Sequence, residues 1–196
     1  MIKSCAEKVT SFLVCNETIE SDEFEIYVYG FETLIAFIVN ISVILAISMV
    51  FDKFRQTILF LSCYCPIRQF SGGYHADNYK KCLGIFVKIY LINISIISFI
   101  SNRNLDGIII IGTLISYLGI WRLAPIEHRN NPLSKKEINH YKKIVRILTS
   151  IVLLLVGMGI RIDAVYEYTL YISSAIVWIY IMLKLANINI ARRINT

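Results

Sequence analysis

Along the chain, long apolar runs alternate with short charged clusters. Runs near the roughly twenty residues that cross a hydrocarbon core as a helix occupy 31–50, 83–101, 105–121, 144–160 and 166–185. A sixth run, 56–67, is too brief for a straight crossing and reads as a tilted or re-entrant element packed against protein. Before the first run, Ile2, Ala6, Val9, Phe12 and Leu13 recur at helical spacing with lysine and glutamate between them. That pattern predicts an amphipathic helix lying at the membrane interface within 1–30. Ser21, followed by Asp22, Glu23 and Phe24, marks the start of a further helix leading into 31–50, its acids suiting the positive helix end. The expectation is an all-α, polytopic integral membrane protein. It has five to six membrane helices and an N-terminal interfacial helix, and forms one membrane-embedded domain over 1–196.

Composition excludes a soluble reading. Of 196 residues, 56% are hydrophobic and only 17% charged, leaving more apolar surface than a soluble domain of this size can hide. The first thirty residues carry six acids against two lysines and no continuous apolar core, so a cleavable leader is not expected. Five cysteines, at 5, 15, 63, 65 and 82, are odd in number and scattered, which fits free thiols facing a reducing compartment rather than a disulfide framework.

Charge then sets direction. Segment 51–82 carries Lys53, Arg55, Arg68, Lys80 and Lys81. Segment 122–146 carries Arg122, Arg129, Lys135, Lys136, Lys142, Lys143 and Arg146, whereas the turns near Arg103 and Arg161 are nearly neutral. The positive-inside rule makes the basic segments cytoplasmic. Pairing 31–50 with 56–67 as a hairpin puts both termini inside, although Lys53 and Arg55 then sit at its outer tip. The basic residues serve orientation and lipid headgroups; no nucleic-acid partner is expected.

The stretch RQFSGGYHADNYKKC, 68–82, concentrates the chemistry. A cysteine becomes a nucleophile when its thiolate is favoured, and a nearby histidine is the usual means. Cys82 lies where this stretch meets the run at 83–101, and His75 is seven residues earlier. A straight helix would hold the two about 10 Å apart, too far for proton transfer. A turn at Gly72-Gly73 would let His75 fold back over the next helix. Asp77 and Asn78 are candidate orienters of the imidazole. Arg68 could bind a phosphate headgroup, a substrate carboxylate or a neighbouring helix end. Three other readings stay open: an interfacial histidine with a small core cysteine, a zinc site from Cys63, Cys65, His75 and Cys82, and plain topology determinants. At the level of function, a small transporter or channel and a membrane scaffold are the non-catalytic alternatives.

The arrangement Arg68-x4-Gly73-x-His75-Ala76-x5-Cys82, preceded by Gly72, resembles the accessory gene regulator B family, integral-membrane cysteine endopeptidases of bacterial quorum sensing. EIYVYGFETL (25–34) resembles that family's approach to its first hydrophobic segment, and LAPIEHRNNPL (123–133) its second cytoplasmic loop. The resemblance implies that the chain cuts the C-terminal tail from an autoinducer propeptide. His75 and Cys82 would be the catalytic pair, Arg68 and Gly73 would hold the other functionally important places, and a thioester acyl-enzyme would lead to a thiolactone or lactone ring. It implies no metal and no cofactor. The expected partners are the propeptide, membrane lipids and a second copy of the chain as a homodimer. The expected location is the bacterial cytoplasmic membrane, with the active site facing the cytoplasm. Glu127 and His128 map to no role in this resemblance.

Overall fold

A computed structural model describes residues 2–73, 79–101, 105–126 and 133–194, the last four of these and residue 106 by backbone alone. These residues are all-helical: α1 (Ile2–Cys15), α2 (Phe24–Val50), α3 (Phe54–Ser71), α4 (Tyr79–Ser101), α5 (Asp106–Leu123), α6 (Lys135–Gly159) and α7 (Tyr166–Ile194). Single 3-10 turns, Ser21–Glu23 and Asp163–Val165, lead into α2 and α7. Three segments are long and apolar enough to cross a membrane: Ser21–Val50, Tyr79–Ser101 and Asp163–Ile190; Gly107–Leu123 is apolar but shorter. The chain divides into two units, 1–47 and 48–196.

In the first unit, α1 buries Ala6 and Thr10, one turn apart, and the Thr10 hydroxyl donates to the Ala6 carbonyl at 3.0 Å. Of the expected apolar face, Val9 and Phe12 remain exposed. The helix stops at Glu17, whose φ of 52° is left-handed, with Thr18 N–H returning to Leu13 O and Glu17 N–H to Val14 O. That closure satisfies carbonyls the helix would otherwise leave open. Ser21 begins the 3-10 turn rather than capping α2 with its side chain; Glu20 is the residue before the turn.

In the second unit the same device ends α2. Asp52 takes φ 57°, and Lys53 N–H reaches Ser48 O. Aspartate tolerates this conformation better than most residues. The run expected at 56–67 is longer in the structure: α3 has 18 residues, about 27 Å at 1.5 Å each. Its buried positions Thr57, Phe60, Leu61, Tyr64, Ile67 and Ser71 trace one face at helical spacing. α6 likewise begins well before the run expected at 144. Ser134 and Glu137 form a reciprocal cap: the Ser134 hydroxyl accepts from Glu137 N–H, and the Glu137 carboxylate accepts from Ser134 N–H at 2.8 Å.

α7 is the centre, packed against α3, α4, α5 and α6. It buries Leu170, Tyr171, Ala175, Ile176, Ile179 and Leu183. Lipid tails are as apolar as leucine, so in a membrane such packing is held by close contact at small residues and by polar pairs. Both are present. A Cβ on Gly119 would come within 2.0 Å of the Tyr180 ring, and one on Gly159 within 2.2 Å of Thr169 Oγ1. Trp178 Nε1 donates to Asn93 Oδ1 at 3.0 Å, Thr57 and Tyr90 share a hydroxyl hydrogen bond, and Tyr117 meets Ser150 at 3.0 Å.

Two groups of contacts define the ends of α3. At its start, Lys53 Nζ lies 2.7 Å from Glu167 Oε1 and Gln56 donates to the other oxygen at 3.2 Å. At its other end, Ile126 N–H donates to Ser71 O at 3.0 Å, Gly72 just beyond bridges to Ile126, and Phe70 packs edge-on against Tyr141. The basic segments 51–82 and 122–146 therefore meet at the C-terminal end of α3, while Lys53 pairs with an acid at the other.

Candidate functional site

The site is built where α3 stops. Arg68 lies in the last turn of α3, and its Nη1 donates to the Gly72 carbonyl just beyond. Arg68 thereby covers the end of its own helix rather than a neighbouring one. The two glycines are needed for different reasons. Gly72 has φ +68°, and a Cβ there would come 2.1 Å from the Ile126 carbonyl oxygen, so two backbones approach too closely for any side chain. Gly73 has φ +127°, and a Cβ there would come 2.2 Å from Arg68 Nη1. Gly72 makes room for the 124–126 segment, whose Ala124–Pro125 bond is cis; Gly73 makes room for the guanidinium.

Cys82 is half-buried in the first turn of α4. There the backbone N–H groups lack intrahelical partners and the helix dipole is positive. Arg68 is within electrostatic reach of the Cys82 sulfur, and its guanidinium donates to the Tyr64 hydroxyl. Tyr64 is buried between Phe60 and Phe86, with ring centroids 5.3 and 5.7 Å away. Arg68, Gly73 and Cys82 thus gather around one guanidinium. His75 and Asp77, with Glu127 and His128, lie outside the described residues.

Tyr64 was not singled out from sequence. Its only signal was a place four residues before Arg68, on the same helical face. Cys63 and Cys65, by contrast, sit two apart within α3, about 200° around its axis. One small site cannot take both without distortion, which removes support from the four-ligand zinc set.

The accessory gene regulator B family model matches residues 6–185. The chain belongs to that family. AgrB-like protein 1 of Clostridium perfringens (strain 13 / Type A) is 29% identical over 195 residues, 98% of this chain and 96% of its own length. AgrB-like protein 2 of the same strain is 30% identical over 154 residues, 75% of this chain and 70% of its own. An AgrB-like protein of strain SM101 is 29% identical over 154 residues. No solved structure matches. Membership in the AgrB family ties the chain to the accessory gene regulator system and, with its apolar helices, to the membrane.

Proposed function

We propose that this AgrB-family chain is a membrane cysteine endopeptidase that removes the C-terminal tail of an autoinducer propeptide, with Cys82 as nucleophile and His75 as general base. The observation that carries the reading is the Arg68 guanidinium, held over Gly72 and Gly73 and within reach of Cys82. Half-burial of Cys82 works against its thiolate, and the Arg68 cation beside it, at a helix N-terminus, offsets part of that cost.

The chemistry balances with these groups. His75 takes the Cys82 proton, and the thiolate adds to the carbonyl preceding the tail. Collapse breaks the C–N bond, and the imidazolium protonates the leaving amine. The acyl group is now a thioester on Cys82. Attack by a cysteine or serine side chain of the bound peptide closes a thiolactone or lactone and frees the enzyme thiol; scarcity of water favours ring closure over hydrolysis. Unpaired N–H groups in the first turn of α4 are the candidate oxyanion donors.

The same reading takes both α2 and α3 as crossing elements. It gives six membrane elements, α1 at the interface, and segments 68–82 and 122–146 on the cytoplasmic side. The contact of both basic segments at one end of α3 supports it, and the Lys53–Glu167 pair answers the objection of a cation at the opposite end. The transporter reading draws little support from α4. Among the described residues of α4, Asn93 is committed to Trp178 and Lys88 is exposed.

Purified protein in lipid bilayers, given propeptide, tests the proposal. Cys82→Ala should release no tail while inserting normally, and Cys82→Ser should be severely slowed because a hydroxyl is far harder to ionise than a thiol. Tail release by folded Cys82→Ala at the parent rate would end the peptidase reading.

A further inference from the structure

A groove between α5 and α6 of about 670 Å³ takes no part in this chemistry. Its polar end is formed by Trp121 of α5 and by Asn139, Lys142, Lys143 and Arg146 of α6. The Arg146 guanidinium stacks over the Trp121 ring, 4.6 Å from its centroid. Arg146 Nε and Trp121 Nε1 are both shut from solvent and have no hydrogen-bond partner among the described residues. Nor does any carboxylate among those residues pair with Lys142, Lys143 or Arg146. Three cations within about one turn of α6, with orphaned donors on Arg146 and on Trp121 of α5, form a polar site with no anion among the described residues.

The other end of the groove is apolar. Ile147, Ile151 and Leu154 line it, respectively 49, 49 and 67% exposed, and Met158 continues the stripe one turn further at 72%. A cationic head with a tryptophan at its level, opening onto a bare hydrocarbon stripe along the helix, matches an anionic phospholipid end to end. An acidic peptide would satisfy the head and leave the stripe uncovered.

We propose that this groove binds one anionic phospholipid. Its phosphate is held by Lys142, Lys143 and Arg146, Trp121 Nε1 and Asn139 donate to phosphate or glycerol oxygens, and an acyl chain lies along Ile147, Ile151 and Leu154. The proposal rests on the apolar half of α6 lying in the bilayer, not on the Cys82 chemistry, so Cys82→Ala should leave lipid binding unchanged.

The test is native mass spectrometry of the full chain released from nanodiscs of equal phosphatidylglycerol and phosphatidylcholine. The parent should retain one phosphatidylglycerol in preference to phosphatidylcholine. Lys142→Gln/Arg146→Gln should lower that preference about thirtyfold. Lys135→Gln/Lys136→Gln, which removes the same charge from the same helix outside the groove, should change it less than twofold. Trp121→Phe, which keeps an aromatic ring and removes the donor, should lower it several-fold and serves if the double variant does not fold. An equal fall in both double variants would mean diffuse surface charge and overturn the site. So would no fall in Lys142→Gln/Arg146→Gln, or displacement of the lipid by an acidic peptide at micromolar concentration.

Discussion

Replacing Gly73 by alanine separates the two glycines of the motif. The new Cβ would sit 2.2 Å from Arg68 Nη1 and 3.0 Å from its Cζ, at a φ of +127° that side chains rarely adopt. The backbone cost is about 1–3 kcal/mol. The clash falls on the far end of a flexible side chain, so the guanidinium moves and the fold need not. Arg68 then gives up its bond to the Gly72 carbonyl, a charged hydrogen bond of about 1.5–3 kcal/mol. If Arg68 works by placing charge beside Cys82, that loss lowers kcat/KM about tenfold to a hundredfold at 1.36 kcal/mol per decade. Gly72→Ala should differ in kind. Its Cβ would meet the Ile126 carbonyl, which is backbone and cannot swing away, so thermal stability and activity should fall together. Tail release and Tm in nanodiscs would be measured for Gly73→Ala, Gly72→Ala, Arg68→Ala and the Arg68→Ala/Gly73→Ala pair. The pair should be strongly non-additive, since both changes remove the same placed charge. Parent-like turnover by Gly73→Ala, or additive losses in the pair, would refute the reasoning.

Four further outcomes are expected. Cys63→Ser/Cys65→Ser should insert and process propeptide at near the parent rate; loss of activity restored by zinc would reopen the metal reading. Ser134→Ala should cost about 1 kcal/mol of stability as a lost helix cap, read as a lowered Tm. The backbone N–H of Ser134, and then its hydroxyl, hold the Glu137 carboxylate below its usual range. This contribution is present above the unfolded pKa of about 4.3 and is lost as pH falls through the lower folded value. The Tm gap between parent and Glu137→Gln should therefore narrow in that acid window and be constant above it. For orientation, single cysteines introduced at Asn78 and Ser134 should resist an impermeant thiol reagent on intact cells; strong labelling of either would reverse the proposed sidedness.

What the sequence by itself determined is local or periodic. The apolar runs announced α2, α4 and α7 as membrane-length helices because each needs only its own residues to meet lipid. The cap at Ser134 and Glu137 was equally legible, since its partners lie three residues apart; a search for apolar length begins at 144 and passes over it. Cys82, Arg68 and Gly73 were visible as residue types in a spaced motif, but not for what they do. Only the tertiary structure decided that Arg68 ends α3 by reaching over Gly72, and that Gly72 is glycine because Ile126 passes against it. It also joined Lys53 to Glu167 across 114 positions and set Tyr64 between Phe60, Phe86 and Arg68. The distant pairs among these, Gly72 with Ile126, Lys53 with Glu167 and Tyr64 with Phe86, depend on how the helices pack, and no short window along the chain contains both partners. Helical period and hydrophobicity record what a residue asks of its surroundings; packing decides which residue answers.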